Sequence, residues 1–314
     1  MGLEDSLRSK KATFFVGKGG VGKTTLAASV GISLADHLKD GQRILVASTD
    51  PAHSLTDVLQ LPYSSEKTRV YPDLPLDIVQ IEPRSSDEYT GVHSALRFFK
   101  FLSDRGMPID VDSVSCMISL AEYAVNLEAS GYSRLIIDSE PTAGLFRMLD
   151  LPENIDKNLR RLSRNPLVPF AVEVLSGMSR KFKKLAAGDF KKDAKTLSSL
   201  LTRFKAMLYD HSQAGFVVVA SPERDVVAET YRLIEELRRY GFSVDGVVFN
   251  RFLGDRYDPS KIRAAQNELL REFQSVHTGI PVNRVPYQGT DNLDRGLLYR
   301  IGNRLLNSRQ SPIT

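Results

Sequence analysis

The sequence FFVGKGGVGKTT, residues Phe14 to Thr25, contains the most informative pattern in the chain. It matches G-x-x-x-x-G-K-[ST], in which glycines let backbone N–H groups approach phosphate oxygens without a Cβ atom in the way. The apolar run Ala12–Gly17 predicts a strand before the loop, and residues Thr24 to Lys39 predict a helix after it. Strand, loop and helix therefore follow in the order that a phosphate-binding loop requires. The matching residues are Gly17, Gly22, Lys23 and Thr24.

This phosphate loop (Gly17–Thr24) supplies specific groups for a nucleoside triphosphate. We expect Lys23 to lie between the β- and γ-phosphates and the Thr24 hydroxyl to bind Mg²⁺. The N-terminus of the following helix adds partial positive charge at the phosphates. The loop also contains a second lysine, Lys18, which the pattern itself does not require.

Six apolar runs alternate with segments of helical periodicity. Continuously apolar runs are typical of strands that are buried on both faces of a parallel sheet. The helical segment Asp225–Tyr240 has a start signal in Ser221-Pro222 and a stop signal in Gly241. This alternation predicts an α/β, doubly wound, mostly parallel sheet of the P-loop NTPase class. The predicted strands are Ala12–Gly17, Arg43–Thr49, Leu76–Glu82, Ser133–Ser139, Gly215–Ser221 and Val244–Asn250.

Two helical insertions interrupt the alternation within what we expect to be a single domain, residues 1–314. They cover residues 94–129 and 151–210 and lie between predicted core strands. The second is basic, because Glu153–Asp210 contains thirteen Lys or Arg against six Asp or Glu in a chain of net charge +4. Such a segment can attract anionic partners, or it can be the solvated face of charged helices.

The composition excludes several kinds of protein. Hydrophobic residues make up 42% and charged residues 25% of the chain, as in ordinary globular domains. Cys116 is the single cysteine, so one chain contains neither a disulfide nor a cysteine cluster for zinc, arsenite or iron–sulfur binding. No apolar run has the length of a signal peptide or a membrane span. We therefore expect a soluble, cytoplasmic protein.

Three acidic residues lie at or just after the ends of predicted strands. Asp138 ends the strand RLIID, where a carboxylate is well placed to orient Mg²⁺. Asp50 and Asp57 belong to DPAHSLTD, which follows the second predicted strand. One of this pair could serve the metal and the other the attacking water. An Asp-Pro turn followed by a helix cap is the alternative for this segment.

The loop sequence KGGVGKTT, with Lys18, resembles the deviant Walker A motif of the ATPase group that contains MinD/ParA, the nitrogenase iron protein and the arsenite pump. In that group the additional lysine reaches across a dimer interface to the partner subunit's nucleotide. The resemblance implies that Lys18 acts in trans and that the chain hydrolyses ATP as a nucleotide-dependent homodimer. A cation delivered in this way can stabilise transition-state charge, as an arginine finger does.

Further segments, within a likeness that covers about residues 11–305, resemble the arsenite-pump and tail-anchored-protein targeting ATPase family. STDPAHSLTD (Ser48–Asp57) is similar to its first switch, and IIDSEPTAGLFRMLDLP (Ile136–Pro152) is similar to its second. The segment Ser221–Phe252 resembles its late helix and the strand that ends in an adenine-reading Asn.

The resemblance implies roles for individual residues. Asp57 would position or activate the attacking water, Asp50 and Asp138 would support Mg²⁺ through water, and Pro141 and Thr142 would sense the γ-phosphate. The cofactors implied are ATP and Mg²⁺. The implied catalytic residues are Asp57, Lys18 and Lys23; the metal-binding residues are Thr24, Asp50 and Asp138; and the nucleotide-binding residues are Gly17, Lys18, Gly19, Gly20, Val21, Gly22, Lys23, Thr24, Thr25, Asn250 and Pro286, the last in the loop PYQGTD.

The sequence departs from the family pattern at two places. The second switch has Glu140 where the family usually has Ala, and Ala143-Gly144 replaces the usual Gly-His. The Cys-x-x-Cys pair that binds zinc between subunits of eukaryotic targeting members is absent, so neither zinc nor an iron–sulfur cluster is expected. A lone cysteine also disfavours an arsenite-efflux role.

Targeting members of the family use helices at the insertion positions to form a hydrophobic groove for a client's transmembrane helix. The resemblance therefore implies a transmembrane-helix client, such as a tail-anchored protein, with a membrane receptor as a further candidate partner. The same apolar residues could instead pack on the sheet or on one another. They are Phe98, Phe99, Phe101, Leu102, Met117, Leu167, Phe170, Val174, Met178, Phe182, Leu201, Phe204, Met207 and Leu208.

Two alternative functions stay open from the sequence. A ParA/MinD-like positioning ATPase would bind DNA or membrane through the basic segment Lys157–Lys195 or through the last helix, NLDRGLLYRIGNRLL. That helix could equally cover the sheet, and Gly302 weakens its helix propensity. We do not expect nucleic acid as a partner, because long insertions have no evident purpose in a minimal positioning ATPase. The other alternative is a relative that uses nucleotide only as a switch.

Overall fold

The computed structural model describes residues 2–38, 41–50, 54–85, 87–104, 110–139, 190–253, 260–289 and 293–307. The chain divides into two compact units. Of the described residues, the first unit takes those up to 80, those from 127 to 139 and those from 207 onward, and the second takes the others.

The first unit is built on an eight-stranded sheet. Its strands are β1 Ala12–Val16, β2 Ile44–Ser48, β3 Thr68–Arg69, β4 Leu76–Gln80, β5 Arg134–Asp138, β6 Ala214–Ala220, β7 Val244–Phe252 and β8 Val282–Pro286. The spatial order is β3-β4-β2-β5-β1-β6-β7-β8, and only the β3–β4 pair is antiparallel. Every residue of β1, β2, β4 and β6 is buried, as continuous apolarity predicts for strands covered on both faces.

Helices alternate with these strands, so the predicted α/β class with a mostly parallel sheet is confirmed. In the first unit they are α1 Leu3–Ser9, α2 Lys23–Ala35, α3 Ser54–Val58, α7 Arg224–Arg239, α8 Ser260–Val276 and α9 Arg295–Leu306. The second unit contains α4 Leu96–Ser103, α5 Val111–Val125 and most of α6 Phe190–Tyr209.

The sequence did not predict the two edge strands, β3 and β8. In β8 Val282, Asn283 and Arg284 are only half-buried, because an edge strand has a neighbour on one side alone. Its polar side chains therefore hide the strand from a search for continuous apolar runs. The antiparallel β3 has only two residues, too few to give any periodic pattern.

The helix α1 was also not predicted. Leu3 and Leu7 are buried, and the Lys10 ammonium that follows the helix forms a 2.6 Å ion pair with the carboxylate of Asp245. Lys10 also donates to the carbonyl oxygen of Ala214 at 3.1 Å, so this buried charge has several partners. The contacts fix α1 beside the amino-terminal ends of β6 and β7.

The last helix, α9, packs against α2 rather than presenting its apolar residues to solvent. Leu298, Ile301 and Leu305 are buried. A Cβ atom at Gly302 would overlap the carbonyl oxygen of Ser29 in α2, so glycine permits a close approach of the two helices. Of the two roles that the sequence left open for this helix, the structure therefore favours covering the sheet.

In the second unit, α5 begins with a side-chain cap. The carboxylate of Asp110 accepts a 3.1 Å hydrogen bond from the backbone N–H of Ser113, which satisfies one of the free donors of the first turn. On the same helix, Glu122 lies 2.9 Å from Nε2 of the buried His93. That the insertions form a client-binding subdomain stays a prediction.

The apolar residues predicted for a client groove divide into two groups. Met117, Leu201, Phe204, Met207 and Leu208 are buried, so these five contribute to cores. The remaining nine lie outside the part of the chain whose side chains are described. No helix within the described ranges is both long and apolar enough to cross a membrane.

Candidate functional site

The parallel strands of the sheet bring the predicted site residues to one edge. The phosphate loop leaves the carboxyl end of β1, and the flanking strands β5 and β6 end beside it. Asp138 pairs in register with Phe15 of β1 on one side and with Ser48 of β2 on the other. Ligands of open α/β sheets bind outside this carboxyl edge, so the topology itself places a site here.

Two glycines explain why the phosphate loop needs its sequence. Gly17 has φ 151°, and a Cβ atom there would overlap the carbonyl oxygen of Val219 in β6. Gly22 has φ 95°, and a Cβ atom there would overlap the side-chain amide of Asn250. Both residues combine a backbone conformation that favours glycine with a close approach to a neighbouring strand.

Lys23 begins α2 and is almost enclosed, with 5% of the residue exposed. Its ammonium donates a 3.2 Å hydrogen bond to the carbonyl oxygen of Lys18 across the loop. Burial lowers the pKa of Lys23, and the negative charges of Asp138 and Asp50 oppose this shift. The structure thus brings Lys23 together with both acidic residues that the sequence assigned to Mg²⁺.

Asp138 is fully buried at the end of β5. Ser48 donates a 3.0 Å hydrogen bond to its Oδ2 atom, whereas Oδ1 has no hydrogen-bond partner among the described residues. Burial raises the pKa of this carboxyl to about 6, although the hydroxyls of Thr24 and Ser48 and the charge of Lys23 lower it. A buried carboxyl group that contacts the Thr24 hydroxyl and has one oxygen without a hydrogen-bond partner among the described residues fits a hard cation such as Mg²⁺.

The described residues contain no cluster of three or more His, Cys, Asp or Glu side chains that could hold a metal ion by themselves. In nucleotide sites Mg²⁺ usually keeps several waters and substrate phosphate oxygens, and the protein supplies only one or two ligands.

Asp50 and Asp57 lie in different surroundings. Asp50 follows β2, its backbone N–H donates to Ser48 Oγ at 3.2 Å, and its carbonyl oxygen accepts from Gln80 at 2.7 Å. Asp57 lies on the short helix α3 with its side chain exposed to solvent. Asp50 is therefore fixed at the carboxyl edge of the sheet, while the carboxylate of Asp57 faces water.

Asn250 and Pro286 lie near the carboxyl ends of the adjacent strands β7 and β8. The side-chain amide of Asn250 donates a 2.9 Å hydrogen bond to the carbonyl oxygen of Val21 in the phosphate loop. Pro286 pairs in register with Phe252. The structure thus links Asn250, which was predicted to hold adenine, to the loop predicted to hold phosphate. Of the second switch, Glu140 to Gly144 lie outside the described residues.

The side chain of Lys18 in the phosphate loop is partly exposed to solvent. Its ammonium is 2.8 Å from Asp225 and 3.6 Å from Glu229, both on α7, and its side chain is 38% exposed. The hydrogen bond to Asp225 raises the pKa of Lys18, although desolvation opposes this shift. Sequence reasoning missed these partners, although two acids four residues apart in a helix that follows a core strand share one helix face.

Comparisons with known proteins agree with this geometry. The profile of the ArsA family, described as anion-transporting ATPases, matches residues 10–306. The chain is 28% identical over 284 residues to the ATPase GET3 of Malassezia globosa, which covers 86% of this chain and 82% of that protein. It is 27% identical over 289 residues to the ATPase GET3A of Arabidopsis thaliana, covering 88% and 78% of the two chains.

Another relative carries a different name. A Chlorobaculum tepidum protein, provisionally named an arsenical pump-driving ATPase, is 27% identical over 286 residues, which are 86% of this chain and 69% of that one. The family profile spans nearly the whole chain. It includes all eight strands of the described sheet, the phosphate loop, and the residues Asp50, Asp57 and Asp138. The chain therefore belongs to the ArsA family of anion-transporting ATPases.

Proposed function

We propose that this chain is a cytoplasmic, Mg²⁺-dependent ATPase that works as a nucleotide-dependent homodimer and shields the transmembrane helix of a client, such as a tail-anchored protein. The observation that carries the ATPase part is the enclosed group of Lys23, Thr24 and Asp138 at the carboxyl edge of the sheet. Burial of opposite charges around an open carboxylate oxygen is costly unless a ligand completes the group. The client part rests on the family resemblance and on the relatives that are named GET3.

In this proposal the phosphate loop binds the triphosphate through backbone N–H groups, and Lys23 exchanges its hydrogen bond with the Lys18 carbonyl for phosphate oxygens. Thr24 and Asp138 hold Mg²⁺, which supplies neutralisation of phosphate charge when it is bound. Asp50 supports this arrangement from the end of β2. Asn250 and the loop that starts at Pro286 hold the adenine base.

Asp57 orients the attacking water in line with the bond that breaks. The water oxygen bonds to the γ-phosphorus, the bond from that phosphorus to the β,γ-bridging oxygen breaks, and the water's proton leaves to phosphate or solvent. Lys18 of a second chain would stabilise charge in the transition state. The exposed positions of Asp57 and Lys18 are compatible with roles that are completed only when a partner covers this face.

The test is co-expression of the Asp57→Asn protein with a protein that has one C-terminal transmembrane helix. The variant should bind ATP, hydrolyse it slowly and so retain the closed dimer with its client. We expect a complex to purify without detergent and to be lost when charges are placed in the client helix.

Asp5→Asn is the matched control, since Asp5 is an exposed aspartate on α1, near the amino-terminal edge of the sheet. This variant should hydrolyse ATP normally and release its client. Recovery of ATP-bound dimer with no client would contradict the targeting role and leave the ATPase role standing. Binding of that dimer to DNA or to anionic liposomes would instead support the positioning alternative.

A further inference from the structure

The carboxylates of Asp225 and Glu229 hold Lys18 from one side. They lie four residues apart on α7, so they share one face of the helix. The Lys18 ammonium is 2.8 Å from Asp225 and 3.6 Å from Glu229, and both contacts occur within one chain. Neither acid was assigned to the nucleotide site. We call these two residues the acidic clamp.

The acidic clamp competes with the role proposed for Lys18. The carboxylates of Asp225 and Glu229 compete with a second chain's phosphate for the Lys18 ammonium, because they compensate its charge within its own chain. The lysine must therefore give up at least part of its pairing with these carboxylates before it can act in trans. The pair is exposed, with 38% of the Lys18 side chain and 69% of the Asp225 side chain open to water, so it can separate without unfolding α7.

We propose that the acidic clamp restrains Lys18 in the single chain and so raises the protein concentration at which ATP-dependent dimers form and hydrolyse ATP. This inference rests on the proposed dimeric ATPase. It makes Asp225 and Glu229 regulatory residues that act through Lys18. Once Lys18 has moved to a partner's nucleotide, the acidic clamp has no further part in turnover.

The first measurement probes the contact itself in the nucleotide-free protein. A brief pulse of an amine-acetylating reagent, followed by mass spectrometry, gives the acetylation rate of Lys18. Asp225→Asn removes the carboxylate that pairs with this amine and raises its pKa, so its acetylation should speed up about two- to fivefold. Lys11, an exposed lysine paired with Glu128, is the internal reference and should not respond.

The second measurement is the ATPase rate per chain as a function of protein concentration. In Asp225→Asn the concentration for half-maximal rate should fall about two- to fivefold, since a surface ion pair no longer opposes dimerisation. The maximal rate at saturating protein should stay the same. Asp225→Glu, which keeps a carboxylate, should restore the wild-type concentration dependence.

Glu235→Gln is the matched control, because Glu235 lies on the same helix, is 69% exposed like Asp225, and pairs with Arg238 instead of Lys18. It removes the same charge and should leave the half-maximal concentration unchanged.

Each other outcome overturns the inference in a distinct way. Unchanged acetylation of Lys18 would show that the contact is absent, and would leave the proposed ATPase untouched. Faster acetylation without a shift in half-maximal concentration, or with a lower maximal rate, would show that the acidic clamp does not restrain the lysine. A wild-type rate per chain that is independent of concentration would refute the dimeric mechanism and the restraint together.

Discussion

The two lysines of the phosphate loop lie in opposite environments. Lys23 is 5% exposed and lies near Asp138, Asp50 and backbone of its own chain, whereas the side chain of Lys18 is 38% exposed and pairs with Asp225. A buried charge is held by groups that fold with it, but an exposed one can exchange partners. The comparison separates a buried half of the site, fixed by one chain, from an exposed half that a second chain can complete.

The largest effect should follow from Lys23→Ala in the buried half. Loss of an enclosed cation that stabilises developing phosphate charge should lower the ATPase rate about 10³-fold. Steady-state phosphate release at saturating protein measures this. Lys11→Ala is the control, because Lys11 is an exposed lysine just before β1. It lies at the amino-terminal ends of the strands, whereas the phosphate loop lies at their carboxyl ends. A residual rate within tenfold of wild type would refute the assignment of Lys23.

Glycines of the same loop extend the comparison to stability. Gly17→Ala combines φ 151° with overlap against the Val219 carbonyl, so it should lower the free energy of unfolding by about 3 kcal/mol. Gly19→Ala should change it by less than about 0.5 kcal/mol, since a Cβ atom there meets nothing within 4 Å. Urea unfolding compares the two. Equal losses of unfolding free energy would show that Gly17 and Gly19 do not differ in how closely they are packed.

The buried half should also respond to pH through Asp138. Its pKa of about 6 in the folded chain is above the ordinary value of 3.8, so between these values the folded state binds more protons than the unfolded state. This group therefore makes the nucleotide-free chain less stable as pH rises, by about 2 kcal/mol between pH 4.5 and 7.5.

The isosteric Asp138→Asn variant isolates this contribution. The free energy of unfolding of this variant minus that of wild type should be about 2 kcal/mol larger at pH 7.5 than at pH 4.5, because only wild type loses this stability as pH rises. Urea titrations at both pH values measure the difference. A difference between variant and wild type that is the same at both pH values would mean that Asp138 has the same pKa in the folded and unfolded states. The complete burial of Asp138 argues against this.

The same contrast explains what the sequence could predict. Apolar runs mark the central strands because both faces are buried. Lys23 could be placed because the phosphate loop follows such a strand, and Asp138 because it ends one. The contact between Lys18 and Asp225 joins residues 207 positions apart, and no local pattern encodes it. The packing role of Gly302 could not be predicted for a related reason, since it depends on the approach of α2 and not on its own helix.

Asp57→Asn in the exposed half should have a small effect on stability, like Gly19→Ala. The side chain of Asp57 is exposed on α3, so its isosteric replacement should change the free energy of unfolding by less than about 0.5 kcal/mol. Hydrolysis should nevertheless slow about 10²-fold or more, because the group that orients water is lost. Urea unfolding and phosphate release on one preparation test both. Loss of stability together with activity would place Asp57 in the buried half, and the division between a half fixed by one chain and a half completed by a second would have to be redrawn.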